Sequence, residues 1–174
     1  MNDFKTIYRK HSSGRFSYLR AVYLEGEKFY IPSKVKSGLD LSGSVTVIAS
    51  GSATFMNQYR NPITYKAGRG RIGNGLMFSG GYYVKPHENM DLRCFSLINH
   101  DDIEFYELKE RQIDKGEWEK LSLIDGFELG VVMMGRVTTS NGMTIAEHRF
   151  LEKTENLEII AEEPTTLGIA VRKQ

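Results

Sequence analysis

Apolar residues along this chain come in short runs that alternate with polar ones, and glycine, proline, asparagine or serine closes nearly every run. Tyr18-Leu19-Arg20-Ala21-Val22-Tyr23-Leu24 is aromatic and branched, and Phe29-Tyr30-Ile31 follows it across Glu25-Gly26-Glu27, which predicts two strands. Pro32 and the polar residues 33–38 interrupt the pattern. Val45 to Ala49 is a β-branched strand closed by Ser50-Gly51-Ser52, and Ala53-Thr54-Phe55-Met56 resumes beyond the glycine, as in a hairpin or a bulged bend. Asn61-Pro62 turns the chain into Ile63 to Ala67, and residues 68–81 are too dense in glycine for a helix or a regular strand. Tyr82-Tyr83-Val84, Leu92 to Ile98 and Ile103 to Leu108 are the next predicted strands, the last two separated by the turn-forming Asn99-His100-Asp101-Asp102. Residues 109–120, charged and carrying the single Trp118, read as a linker or a short helix. Phe127 to Met134 is apolar up to Gly135, and Arg136 to Thr139 leads into Asn141-Gly142, a strong hairpin signal. Met143 to Phe150, with His148 in an alternating run, then Leu157 to Ala161 and Leu167 to Val171 complete the series. Short strands recurring between turns predict an all-β sandwich or barrel.

Laying Gly51 on Gly135 aligns Val45 to Asn57 with Leu129 to Asn141. Each segment has an apolar run, the glycine, a threonine three residues on and a closing asparagine. Two ordinary hairpins of similar style account for such a match. A duplicated β unit is the sharper alternative.

The length of 174 residues suits one compact domain, or one with a β extension, rather than two full-sized domains. A hydrophobic content of 40%, with nine Phe and nine Tyr, excludes wholesale disorder. The lone Cys94 has no intramolecular disulfide partner, and no CxxC pair or Cys/His cluster offers a structural zinc site, so a reducing compartment is expected. With no signal-like start and no run long enough to span a bilayer, the expected location is cytoplasmic and away from membranes. A net charge of +1 conceals an asymmetry. Residues 1–86 hold 13 Lys/Arg against 4 Asp/Glu, a net of +9, while residues 87–174 hold 10 against 18, a net of −8. Oppositely charged halves can pack together or dimerise head to tail, and a basic half can also bind an anionic ligand or nucleic acid.

The order of elements over residues 15–108 resembles the cupin superfamily of double-stranded β-helix barrels. The resemblance is carried by Tyr18 to Ile31 as entry strands, by Ser44 to Thr54 as a strand running into a glycine turn, and by Ile63 to Gly68 leading into the second motif. Gly80 and Pro86, with five residues between them, also match the start of that motif. It implies a cupin-like jelly-roll barrel over residues 12–110, with residues 111–174 a β-rich unit, a C-terminal extension or second partial β unit, packed on or completing the barrel. Metal-binding members carry two histidines and a glutamate before the glycine matched by Gly51, but here no histidine lies between His11 and His87. Beyond Pro86 the family pattern has glycine and then histidine, whereas this chain runs directly into His87-Glu88. The resemblance therefore implies a degenerate, metal-free barrel, without the chemistry that depends on the metal.

Gly68-Arg69-Gly70-Arg71-Ile72-Gly73 has the letters of GxGxxG but no helix to follow it, which excludes a dinucleotide site. What remains is a pair of arginines on a glycine loop, with Lys66 before them, suited to gripping a phosphate or carboxylate. Tyr82-Tyr83 and the basic first half offer aromatics to stack bases and cations to track phosphates, as an RNA-binding surface would, but the recognised RNA-binding signatures are absent. Tyr82 and the rim residue His87 add to the candidate set. Adjacent strand residues face opposite ways, so His87 and Glu88 cooperate on one atom only if the chain turns there. Cys94 reads as a buried structural thiol, and no hydrolase, P-loop or metalloprotease motif occurs. The expected ligand-binding residues are thus Arg69, Arg71, Lys66, Tyr82 and His87, with no catalytic residue, metal or cofactor. The expected function is non-enzymatic: a β-barrel binding or assembly protein that recognises an anionic small molecule, a partner protein or itself as a homo-oligomer. Two alternatives remain open, a cupin-type enzyme acting on a phosphorylated or acidic small molecule and a nucleic-acid-binding module.

Overall fold

The computed structural model describes residues 8–31, 44–56, 61–67 and 82–174. Every long element among them is a strand, and the chain divides into two units, residues 1–98 and 99–174.

The first unit contains β1 (Tyr8–Ser13), β2 (Phe16–Tyr23), β3 (Phe29–Ile31), β4 (Val45–Ser50), β5 (Ser52–Met56), β6 (Ile63–Lys66), β7 (Tyr82–Pro86) and β8 (Met90–Leu97). They form two antiparallel sheets, sheet A in the order β1-β2-β8-β4 and sheet B in the order β3-β7-β5-β6. The chain passes from A to B at β2–β3 and at β4–β5, and back to A at β3–β4 and at β7–β8. Such switching is what winds a jelly roll. Leu19, Ala21 and Tyr23 of β2, Ile48 of β4 and Met90, Leu92 and Cys94 of β8 meet Ala53 and Phe55 of β5 and Val84 of β7 in one core. The period of two in these strands selects the core members, because alternate side chains leave a strand on opposite faces.

The second unit repeats the plan. Its strands are β9 (Tyr106–Ile113), β10 (Trp118–Lys120), β11 (Phe127–Met134), β12 (Val137–Thr139), β13 (Thr144–Ile145), β14 (Phe150–Glu152), β15 (Glu158–Ala161) and β16 (Thr165–Arg172). Sheet C runs β14-β11-β16-β9 and sheet D runs β10-β15-β12-β13. Ile113, Phe127, Val132, Leu151, Leu167, Ile169 and Val171 of sheet C close on Val137, Ile145, Ile159 and Ala161 of sheet D.

The two units match strand for strand, β2 to β8 against β9 to β13 with β15 and β16, and the pivot is the pair of glycines aligned from sequence. Gly51 has φ +86° and Gly135 φ +94°. Gly51 leads from β4 into β5 and lies against the Asn89–Met90 backbone at the start of β8, the strand paired with β4. Gly135 leads from β11 into β12 and lies against Pro164–Thr165 at the start of β16, the strand paired with β11. Three residues on, Thr54 faces Thr64 across β5–β6 and Thr138 faces Thr144 across β12–β13, each pair joined between hydroxyls, at 2.9 Å and 3.4 Å. The alignment thus joins equivalent positions of a duplicated β unit, and two hairpins of common style do not explain it.

By its internal contacts the chain divides after Ile98. Several expectations need correction. Residues 109–120 are neither linker nor helix, since β9 pairs with β16 over its whole length and β10 pairs with β15. β9 is a charged strand whose buried positions are only Tyr106, Leu108 and Ile113, so composition hides it. The strand expected from Ile103 begins at Tyr106, because the Asn99 side chain accepts a hydrogen bond from the Asp101 amide and winds His100–Glu104 into a 3-10 turn. His148 leaves the expected strand. It stands at φ +76° in a turn closed by Arg149 N–H on the Ala146 carbonyl. The strand β1, joined to β2 through Gly14-Arg15, has no counterpart in the pattern reading.

Candidate functional site

The outer face of sheet B gathers the exposed chemistry of the first unit. On β5, Ala53 and Phe55 enter the core, which turns Thr54 and Met56 outward. On β7, Val84 enters the core, and Tyr83 and Lys85 are exposed. Cross-strand register assembles these into rows. Tyr30, Tyr83 and Met56 stand in one, Lys85, Thr54 and Thr64 in the next, and Ser52 and Lys66 in a third. Tyr83 is 42% exposed and Met56 38%. The Lys28 ammonium lies 4.5 Å from the centroid of the Tyr83 ring, a cation–π distance.

A hydrogen-bonded chain runs along this face. The Thr54 hydroxyl lies 2.9 Å from that of Thr64 and 2.5 Å from His87 Nε2. The His87 amide donates to the Ser52 carbonyl at 2.9 Å, and the Ser52 hydroxyl donates to Glu88 Oε1 at 3.1 Å. His87 and Glu88 sit in the bend between β7 and β8, so each reaches β5 without sharing a partner atom. Exposed to water, the Thr54–His87 pair has no carboxylate on its second ring nitrogen among the described residues, and a hydroxyl–imidazole pair needs such an orienting group to act as nucleophile and base.

The core side of the first unit has a different character. Ser17 and Ser96, on core-facing positions of β2 and β8, and Ser44, just before β4, are buried at one end of sheet A. Ser44 and Thr46 share a hydrogen bond of 2.8 Å, and the Thr46 hydroxyl donates to Cys94 Sγ at 3.4 Å. Burial pushes the Tyr23 phenol far up, with Cys94 adding to the effect, so Tyr23 stays neutral. These are neutral groups. On the other face of sheet A, Asp91 accepts from Arg20 at 2.9 Å and from Arg93 at 3.2 Å. Burial by itself would raise this carboxyl. The hydrogen bonds and charges of the two guanidinium groups outweigh it and hold Asp91 below the ordinary carboxylate range.

Of the residues expected from sequence, Lys66 and His87 both flank Ser52, Lys66 in register and His87 through its amide. Tyr82 opens β7 opposite Ile31, one position off the row that holds Tyr83. Arg69 and Arg71 lie outside the described residues. Sequence reasoning missed Lys28, Thr54 and Lys85, and of the Tyr82-Tyr83 pair it carried only Tyr82 into the expected ligand-binding set. The signal was present in the alternation of Tyr83, Lys85 and His87, which starts one residue later than the Tyr82 that was singled out. Among the described residues, no group of three His, Cys, Asp or Glu side chains is placed to share a metal ion, and no helix is long and apolar enough to cross a membrane.

No protein-family model matches the sequence, and no curated protein matches it. Solved structures do match the fold. A cupin 2 conserved barrel domain protein from Leptotrichia buccalis is similar with a TM-score of 0.56 at 11% identity, over 99% of this chain and 91% of that one. YhaK from Escherichia coli gives 0.55 at 12% identity over 97% and 94%. HutD from Pseudomonas fluorescens SBW25 gives 0.55 at 13% identity over 96% and 80%. The chain has a cupin-like, all-β jelly-roll fold, as the resemblance implied. Identities this low speak for the fold alone.

Proposed function

We propose that this chain is a non-enzymatic cupin-like binding protein whose basic first unit recognises an anionic ligand or partner. The observation that carries the reading is the outer face of sheet B, where the exposed Lys28 lies over Tyr83, Lys85 follows Tyr83 on β7, Lys66 stands two rows further along the sheet, and the nearby Glu88 carboxylate is engaged by Ser52. The interior supports it by contrast. Hydroxyls, a thiol and apolar groups line the core of the first unit among the described residues, so the charges suited to an anion lie outside. The charge asymmetry persists at the unit boundary. Residues 1–98 hold 14 Lys/Arg against 6 Asp/Glu, a net of +8, and residues 99–174 hold 9 against 16, a net of −7. Arg69 and Arg71 belong to this proposal through their place in the chain, in the connection that leaves sheet B at Lys66 and returns to it at Tyr82.

The same split favours a second reading, assembly of the basic unit of one copy with the acidic unit of another. Titration with inorganic polyphosphate, alongside sedimentation, separates the two. Lys28→Glu with Lys85→Glu, and separately Arg69→Ala with Arg71→Ala, are expected to weaken polyphosphate binding about tenfold or more at unchanged sedimentation. A shift to smaller species with no loss of polyphosphate affinity would favour assembly. Unchanged behaviour in both assays by folded variants would refute the anionic site.

A further inference from the structure

We infer that the outer face of sheet B is a platform for single-stranded nucleic acid, with Tyr83 stacking a base while Lys28, Lys66 and Lys85 meet the phosphates. The inference rests on the anionic reading above and names its ligand class.

Three observations lead there. The exposed aromatic ring of Tyr83 is on β7, an inner strand of the sheet, with Met56 beside it on β5. That row offers π and thioether surface, which accepts any base because every base has a π face. Secondly, cations adjoin the ring. Lys28 Nζ lies 4.5 Å from its centroid, and Lys85 is two residues along the same strand, a step of about 7 Å. A base and its flanking phosphate are thus met by neighbouring groups. Thirdly, the part of the face formed by the described residues is small. Its strands have 3 to 5 residues, so four of them span roughly 20 Å by 15 Å, or about 300 Å². A folded acidic partner ordinarily buries about 800 Å² on each side. A flexible, ribbon-like polyanion fits the smaller platform, and the Thr54 and Thr64 hydroxyls between the lysines suit polar groups of its backbone.

The test uses the full chain and two probes, a labelled oligouridylate of about ten nucleotides and inorganic polyphosphate of similar charge, read by fluorescence anisotropy and competition. Oligouridylate is expected to bind with an affinity that falls as salt rises. Tyr83→Ala should weaken it about five- to hundredfold, Tyr83→Phe should keep it within about twofold, and neither should move polyphosphate binding more than about twofold. Lys85→Ala should weaken both probes. Circular dichroism of each variant checks that the sheet persists. Tyr83→Ala that binds oligouridylate like the parent, while Lys85→Ala weakens both probes, overturns the stacking inference and leaves the anionic reading standing. Polyglutamate that displaces oligouridylate at equal charge, with no effect of Tyr83→Ala, also overturns it and marks the face as a dock for an acidic protein. Binding of neither polyphosphate nor oligouridylate overturns both.

Discussion

Asp91 sits between two arginines on sheet A, and Arg93 is at least as buried as the carboxylate it holds, with side-chain exposures of 8% for Arg93 and 10% for Asp91. Removing the acid takes a counter-charge away from a guanidinium in a poorly solvated place, which costs more than an ion pair gains. Asp91→Asn is therefore expected to destabilise the chain by about 3 kcal/mol at neutral pH. The pH dependence follows from the direction of the shift. The folded carboxyl titrates below its unfolded value of about 4, so its contribution is complete above that value and is lost as pH falls through the depressed one. Urea midpoints measured from neutral pH down to about pH 2 should fall for the parent in this acid window, with a shallower fall for Asp91→Asn. Equal slopes would show that the triad does not set acid stability. Little of this was legible in the sequence, because Arg20 and Asp91 are far apart in the chain and meet only when β2 pairs with β8.

At the scale of elements, the two glycine pivots make the same demand on the chain. Each stands at positive φ, where a side chain costs about 1–2 kcal/mol. A Cβ would also meet backbone, with Met90 Cα 2.8 Å away at Gly51 and Thr165 Cα 2.8 Å away at Gly135. Backbone at a strand start cannot move aside without breaking its ladder, which adds an overpacking cost. Gly51→Ala and Gly135→Ala should each lower stability by roughly 3 kcal/mol in urea unfolding. A loss below about 1 kcal/mol at either site would deny that the two pivots are equivalent. The pattern of the chain made these strands readable because β2, β4, β5 and β8 are short runs of branched and aromatic residues closed by turn formers. It misled at β9, where charge covers the alternation, and at His148, where nothing local announces a left-handed turn.

For the whole molecule, separation of charge matters more than its sum. A chain near its sequence isoelectric point of about 7.8 carries little net charge, yet its units hold net charges of +8 and −7. It is expected to be retained by both cation and anion exchangers near that pH in low salt, and released from both by salt. Passage through both would mean that neither charge is presented as a patch. The amino-acid order by itself determined the all-β class, most strand positions, the charge split and the alignment of Gly51 with Gly135. Each of these is a local or additive property, set by period-two alternation, turn chemistry and composition. Only the tertiary structure decided that the aligned segments are pivots of two complete units, because a pivot is defined by the distant strand pressed against it. It alone also decided that Lys28, Thr54, Lys66, Tyr83 and Lys85 share a face, since cross-strand register joins residues far apart in sequence and no local pattern encodes register.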